Sequence, residues 1–139
     1  MLWQSSGVSM LEAMCLALTI YYEARSEPLR GQYKVAEVVM NRVESDKYPD
    51  TICAVMKQDT GPLKDDCQFS FYCDGKPERP SEDIPWLFAQ IIAQDVIRYG
   101  IKKNTGATHY HATYVKPYWR TKLKYLYQIG SHHFYKEVK

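Results

Sequence analysis

The sequence predicts an α+β fold, with helices in the first two-thirds of the chain and strands at the end. Three observations carry this. Met14 to Tyr22 is apolar except for Thr19. Leu29, Tyr33, Ala36, Met40 and Val43 recur at spacings of four, three, four and three, which is one face of a helix. Leu123, Tyr125, Tyr127 and Ile129 alternate before Gly130-Ser131 and His132 to Tyr135, which reads as a hairpin with a two-residue turn.

The elements follow in order. A first helix is expected from about Ser9 to Ala24, apolar nearly all round and therefore central. Ser26 and Pro28 restart the chain into a second helix, from about Pro28 to Glu44. Tyr48-Pro49-Asp50 breaks it, and Thr51 to Gln58 reads as a short third helix. Asp59 to Cys67, with Gly61-Pro62, is expected to be a loop. Gln68 to Tyr72 alternates and reads as a strand, with Phe69 and Phe71 on one face and Gln68, Ser70 and Tyr72 on the other. A loop from Asp74 to Asp83 precedes a long helix, about Ile84 to Tyr99, that Gly100 ends. Trp86, Ala89, Ala93, Val96 and Ile97 are its expected inward side. Ala107 to Val115, rich in Thr, Tyr and His, suits a strand with Tyr110, Ala112 and Tyr114 on one face.

At 139 residues the chain suits one domain, 1–139, with a real core. No run approaches a membrane span, and MLWQSSGVSM lacks the pattern of a signal peptide. A net charge of +2 is too small to argue for nucleic acid, and it is compatible with a polyanionic surface such as a cell wall. Twelve Tyr and three Trp suit either a sugar-binding cleft or an aromatic core.

The four cysteines, at 15, 53, 67 and 73, lack CxxC zinc spacing. Cys15, inside the apolar helix, reads as a buried thiol. If Gln68 to Tyr72 is a strand, Cys67 and Cys73 lie roughly 20 Å apart, whereas a disulfide needs about 5–6 Å between Cα atoms. The expected bridge is therefore Cys53–Cys73, the alternative being four reduced thiols.

Glu23 closes the apolar helix. Partial burial and the negative end of the helix dipole both disfavour its charged form, which is what a general acid near neutral pH requires. Arg25 opposes this if it turns toward the carboxylate. The other reading is a surface cap or an ion pair with Arg25 or Arg42.

The blocks LTIYYEARSEPLRGQYKVAEVVMNRV, YPDTICAVMKQ, CQFSFYCDG, ATHYHATYVKPYW and IGSHHFY resemble, in order, those of the SleB-type cell-wall hydrolase family, which includes spore cortex-lytic enzymes and their phage and bacterial relatives. The resemblance runs from Leu16 to Tyr135. It implies a lysozyme-like catalytic domain that cuts peptidoglycan glycan strands, with Glu23 as the catalytic acid and no cofactor. It further implies a lytic transglycosylase, which needs one acid/base. A hydrolase would need a second carboxylate, for which Glu27, Asp74 and Glu37 are the candidates and none stands out. The expected substrate contacts are Gln68, Ser70, Tyr72, Tyr110, His111 and Tyr114. The competing readings are a non-catalytic peptidoglycan-binding module and a metal-dependent amidase built on His109 and His111. The expected protein is a monomer acting on the cell wall, with a phage endolysin as one origin.

Overall fold

A computed structural model describes residues 9–59 and 67–138. The expected Gly61-Pro62 loop lies outside the described residues. Helix α1 spans Met10–Ala24, α2 Leu29–Glu44, α3 Ile52–Met56, α4 Ser70–Cys73 and α5 Asp83–Tyr99. Strand β1 is His109–Ala112, β2 Lys124–Ile129 and β3 His132–Lys136, with a 3-10 turn at Tyr118–Thr121 before β2.

Helix α1 starts where Ser9 Oγ accepts the Glu12 N–H at 3.2 Å. Leu16 and Ile20 are completely buried. Thr19, the polar exception in the run, donates its hydroxyl to the Cys15 carbonyl at 2.9 Å, so its burial leaves nothing unpaired. The Glu12 carboxylate reaches across to α3 and accepts the Ile52 N–H at 2.6 Å. Helices α3, α4 and α5 pack with α1 into one core.

Helix α2 lies between two cores. Ala36 and Val39 join the α1 core, while Val35 and Val38 face a second one with Ala107, Ile129 and Phe134. The face expected to be buried is only half so: Tyr33, Met40 and Val43 sit at its edge and Leu29 is exposed. The helix needs a second apolar stripe because the sheet packs on its other side.

The sheet is antiparallel in the order β1-β3-β2, with Tyr110 opposite Phe134 and Ile129 opposite His132. The two-residue turn at Gly130-Ser131 forms as expected. Gly130 has φ +56°, and a side chain there would collide with Glu27 and Pro28. Close approach is needed because the turn docks on the α1–α2 corner. There the Ser131 N–H donates to Glu27 Oε1 at 2.8 Å, and its hydroxyl donates to Oε2.

Two expectations fail together. Ser70–Cys73 is a helical turn rather than a strand. The turn brings the Cα atoms of Cys67 and Cys73 to 6.0 Å, and they form a disulfide. Cys53 therefore bonds not to Cys73 but to Cys15, with Cα atoms 5.2 Å apart. Cys15 is no free thiol; its bridge fastens α1 to α3.

Peptide mapping of the oxidised protein without reduction is expected to recover Cys15–Cys53 and Cys67–Cys73. The Cys15→Ser, Cys53→Ser double variant should lose about 2–4 kcal/mol of stability in chemical denaturation. A Cys53–Cys73 peptide would contradict the pairing.

Candidate active site

Glu23 stands in the last turn of α1, half-buried. The hydroxyl of Tyr110, on β1, donates a hydrogen bond to its Oε1. Loss of water around the carboxyl raises its pKa; the Tyr110 bond and the charge of Arg42 pull it part of the way back. The helix end acts in the same direction as burial. The Tyr110 hydroxyl is itself held well above its ordinary pKa, by burial first and then by Glu23, so it stays a donor.

The cation that tempers Glu23 is not its neighbour in sequence. Arg25 turns to Glu82, Nε to Oε2 at 2.6 Å, and lies over the Tyr21 ring. Arg42 is buried at 5% exposure, with Tyr48 and Phe69 rings 4.9 and 5.5 Å from its guanidinium carbon. Its Nε donates to the Thr108 carbonyl at 2.8 Å, and its Nη1 has no hydrogen-bond partner among the described residues. Burial lowers its pKa. The sequence signal was its position: Val35, Val38 and Arg42 lie on one helical face, and a cation on an apolar face is buried with a purpose or not at all.

Tyr110 is aimed from α2. Asn41 donates to the Ala107 carbonyl at 2.8 Å, and Arg42 holds Thr108. Glu37, almost fully buried, accepts the Thr105 hydroxyl at 2.6 Å and the Lys34 ammonium at 2.9 Å. The segment leading into β1 is thus tied down before the strand begins. On the other flank of Glu23, Tyr22 stacks on Phe71 of α4, with centroids 5.0 Å apart.

The expected contact residues do not converge. Only Tyr110 reaches the carboxyl. Gln68 and Ser70 are exposed and Tyr72 is 38% exposed, on or just before α4 and not on a shared strand face. His111 packs on the opposite sheet face from Tyr110, its ring nitrogens engaged with the Ala112 carbonyl and the Tyr135 hydroxyl, each at 2.8 Å. His109 lies on that same outer face and bonds Thr108 and Tyr48, and burial presses its pKa down to about 4. Tyr114 lies beyond the end of β1, 86% exposed. The candidate second carboxylates are also occupied. Glu27 binds the hairpin turn, Glu37 the β1 approach, and Asp74 accepts the Lys76 N–H at 2.9 Å within a turn.

A helical lobe, a small antiparallel sheet and an acid at the end of the core helix define the lysozyme-like class of fold. Known proteins agree. The chain aligns with the catalytic domain of the germination-specific lytic transglycosylase SleB from Bacillus anthracis at a TM-score of 0.71 and 25% identity, covering 94% of this chain and 98% of that one. It aligns with the SleB catalytic domain of Bacillus cereus at 0.74 and 26% identity, covering 92% and 91%. A spore cortex-lytic enzyme of Oceanobacillus iheyensis is 42% identical over 50 residues, 36% of this chain and 18% of that protein. The Bacillus subtilis enzyme of the same name is 38% identical over 50 residues, 36% and 16%. The matched segment thus spans less than a fifth of those two relatives' length. Residues 26–135 match the Cell Wall Hydrolase family, and the chain belongs to that family. The match begins three residues after Glu23, so the acid rests on the geometry above.

The raised pKa of Glu23 has a consequence for stability. The folded state favours the protonated acid, so this contribution is complete below the ordinary glutamate range and is lost as pH rises through the folded-state value. Glu23→Gln is therefore expected to melt a few degrees higher than wild type at pH 8 and at about the same temperature at pH 4, by calorimetry. Tyr110→Phe removes a bond to the charged form, so carbon-13 NMR should find the Glu23 carboxyl titrating at still higher pH.

Proposed function

We propose that the chain is a peptidoglycan lytic transglycosylase in which Glu23 is the one acid/base. The observation that carries this reading is a half-buried carboxyl at the mouth of α1, biased toward its protonated form and held by the Tyr110 hydroxyl. The likeness to the Bacillus anthracis lytic transglycosylase domain supports it.

In this reading Glu23 gives its proton to the glycosidic oxygen as the bond from muramic acid C1 to that oxygen breaks. The resulting carboxylate faces developing positive charge on the sugar. It then takes the proton of the muramic acid 6-hydroxyl as that oxygen bonds to C1, closing a 1,6-anhydro ring. The proton returns to Glu23 and no water is consumed. Tyr110 serves both stages: its O–H steadies the carboxylate, and burial keeps it from surrendering its own proton. The engagement of Glu27, Glu37 and Asp74 in structural bonds supports one acid over two. Gln68, Ser70 and Tyr72 on the α4 side, with Tyr114 beyond β1, are proposed to contact the sugar at the margins. His111, behind the sheet, acts through the packing of β1. The protein is proposed to work as a monomer on the wall, without nucleic acid.

Mass spectrometry of digested sacculi is expected to show 1,6-anhydro-muramyl ends; reducing muramic acid ends would make the protein a hydrolase. Glu23→Gln should bind sacculi and lose several orders of magnitude in lytic rate, and activity within tenfold of wild type would sink the assignment. Wild-type activity should decline on the alkaline side as Glu23 loses its proton. Glu27→Gln, Glu37→Gln and Asp74→Asn should each keep substantial activity. One that folds, binds and is as inactive as Glu23→Gln would turn the reading toward two-carboxylate hydrolysis.

A further inference from the structure

The charge of this chain is divided between its two lobes. Fifteen of its sixteen acids precede residue 96. Between Val96 and Lys136 the chain carries eight lysines and arginines and no acid. Glu137, the remaining acid, pairs with Lys47 from the helical half at 3.0 Å. No ion pair among the described residues includes any of those eight cations. Lys124 and Lys136 even face each other across the hairpin, an arrangement that repels.

Part of this charge gathers behind the sheet, on the side away from Glu23. Tyr110 and Phe134 point toward the helices, whereas Tyr125, His133 and Tyr135 point outward. The Tyr118–Thr121 turn lies on this outer face and lays Trp119 against Tyr135, centroids 5.5 Å apart, while Tyr48 covers the His109 end. Around it Tyr118 is 78% and Tyr125 49% exposed. Lys116 and Lys122 are exposed, Arg120 is half-exposed, and the Lys122 ammonium lies 5.6 Å from the Tyr118 ring.

We propose that this outer face, built from Lys116, Tyr118, Trp119, Arg120, Lys122 and Tyr125, is a second glycan-binding surface that holds the protein on carboxylate-bearing peptidoglycan. The choice of occupant follows from the two kinds of side chain. Unpaired cations suit the carboxylates of stem peptides. Exposed aromatic rings suit the faces of pyranose sugars, which an open-chain phosphodiester polymer of the wall does not offer. The inference rests on the wall-acting reading of the protein but not on its chemistry. It concerns retention, and the same strand need not be engaged at Glu23.

The test uses the full chain with Glu23→Gln, so that sacculi survive and failure of the transglycosylase reading leaves the result interpretable. Retention is measured by co-sedimentation with sacculi stripped of phosphodiester polymers by hydrofluoric acid. Adding Lys116→Gln, Arg120→Gln and Lys122→Gln together should raise the dissociation constant at least tenfold and flatten its dependence on salt. Tyr118→Ala with Tyr125→Ser should also weaken retention but keep the salt dependence. Arg98→Gln, Lys102→Gln and Lys103→Gln remove the same charge elsewhere and should change retention less than twofold. Equal loss in that control, or unchanged retention in the first triple variant, would overturn the surface. Retention that vanishes when the phosphodiester polymer is stripped would overturn the choice of ligand. A dimer in sedimentation velocity that the first triple variant abolishes would assign the face to a second copy and overturn the proposal too.

Discussion

A carboxyl group kept from water between a helix end and a strand is the constraint on which the rest of this structure depends. Glu23 cannot be stabilised fully, or it would lose its bias toward the protonated form. It cannot be left bare either, because a buried polar group without partners destabilises the fold. One neutral donor, Tyr110, and one cation nearby but not hydrogen-bonded to it, Arg42, meet both demands. A direct ion pair with Arg25 would have pinned the carboxylate as an anion. The Arg25–Glu82 bridge instead keeps that cation occupied at the surface.

The geometry of this pair has to be set from both sides. The disulfide between Cys15 and Cys53 and the Glu12 contact to α3 anchor α1, whose last turn carries the acid. On the sheet side, Glu37, Asn41 and Arg42 hold residues 105 to 108. Glu27 clasps the hairpin turn. Charged side chains near the site, Glu27, Glu37 and Arg42 among them, thus act as structural fasteners. The buried polar groups cluster at this seam between α2 and the sheet, whereas the α1 core is almost wholly apolar. Such a seam gains specificity from satisfied hydrogen bonds. Arg42 Nη1 and His132 Nδ1 are buried there without a partner among the described residues, and the first lies on the residue whose charge reaches Glu23.

The long elements were legible because their signals are periodic. The helices from Leu29 and Asp83 and the hairpin follow from spacing, the helix from Met10 from its long apolar run, and the two-residue turn from Gly130-Ser131. Glu23 stood out because a carboxylate ending an apolar helix is out of place, but position alone left a surface cap or an ion pair equally open, and its reading as an acid came from the family resemblance. What stayed hidden was local or long-range. Four residues of α4 are too few to show a helical period, and Phe69 and Phe71 imitate strand alternation. That single misreading separated Cys67 from Cys73 and so displaced the partner of Cys53 as well. Arg25 was the obvious counter-charge because it is close in sequence. Arg42, named beside it as an alternative partner, plays that part because α2 crosses behind the site, and no spacing rule chooses residue 42 over residue 25. Likewise His111 neighbours Tyr110 in sequence but not in the site, since strand neighbours point to opposite faces.

Net charge misleads for a similar reason. A total of +2 describes a nearly neutral protein, but the total is a small remainder of an acidic helical lobe and a basic sheet lobe. An insoluble polyanion interacts with a surface, not with a sum. For an enzyme acting on such a polymer, finding the next bond is as demanding as breaking it. The two tasks favour opposite surroundings: a half-buried site where an acid is partly desolvated and only partly compensated, and an open, salt-sensitive surface where charges stay hydrated. The three-stranded sheet can serve both because its faces alternate residue by residue. Tyr110 belongs to the acid, and Tyr125, one strand over from β3 and pointing the other way, belongs to the surface.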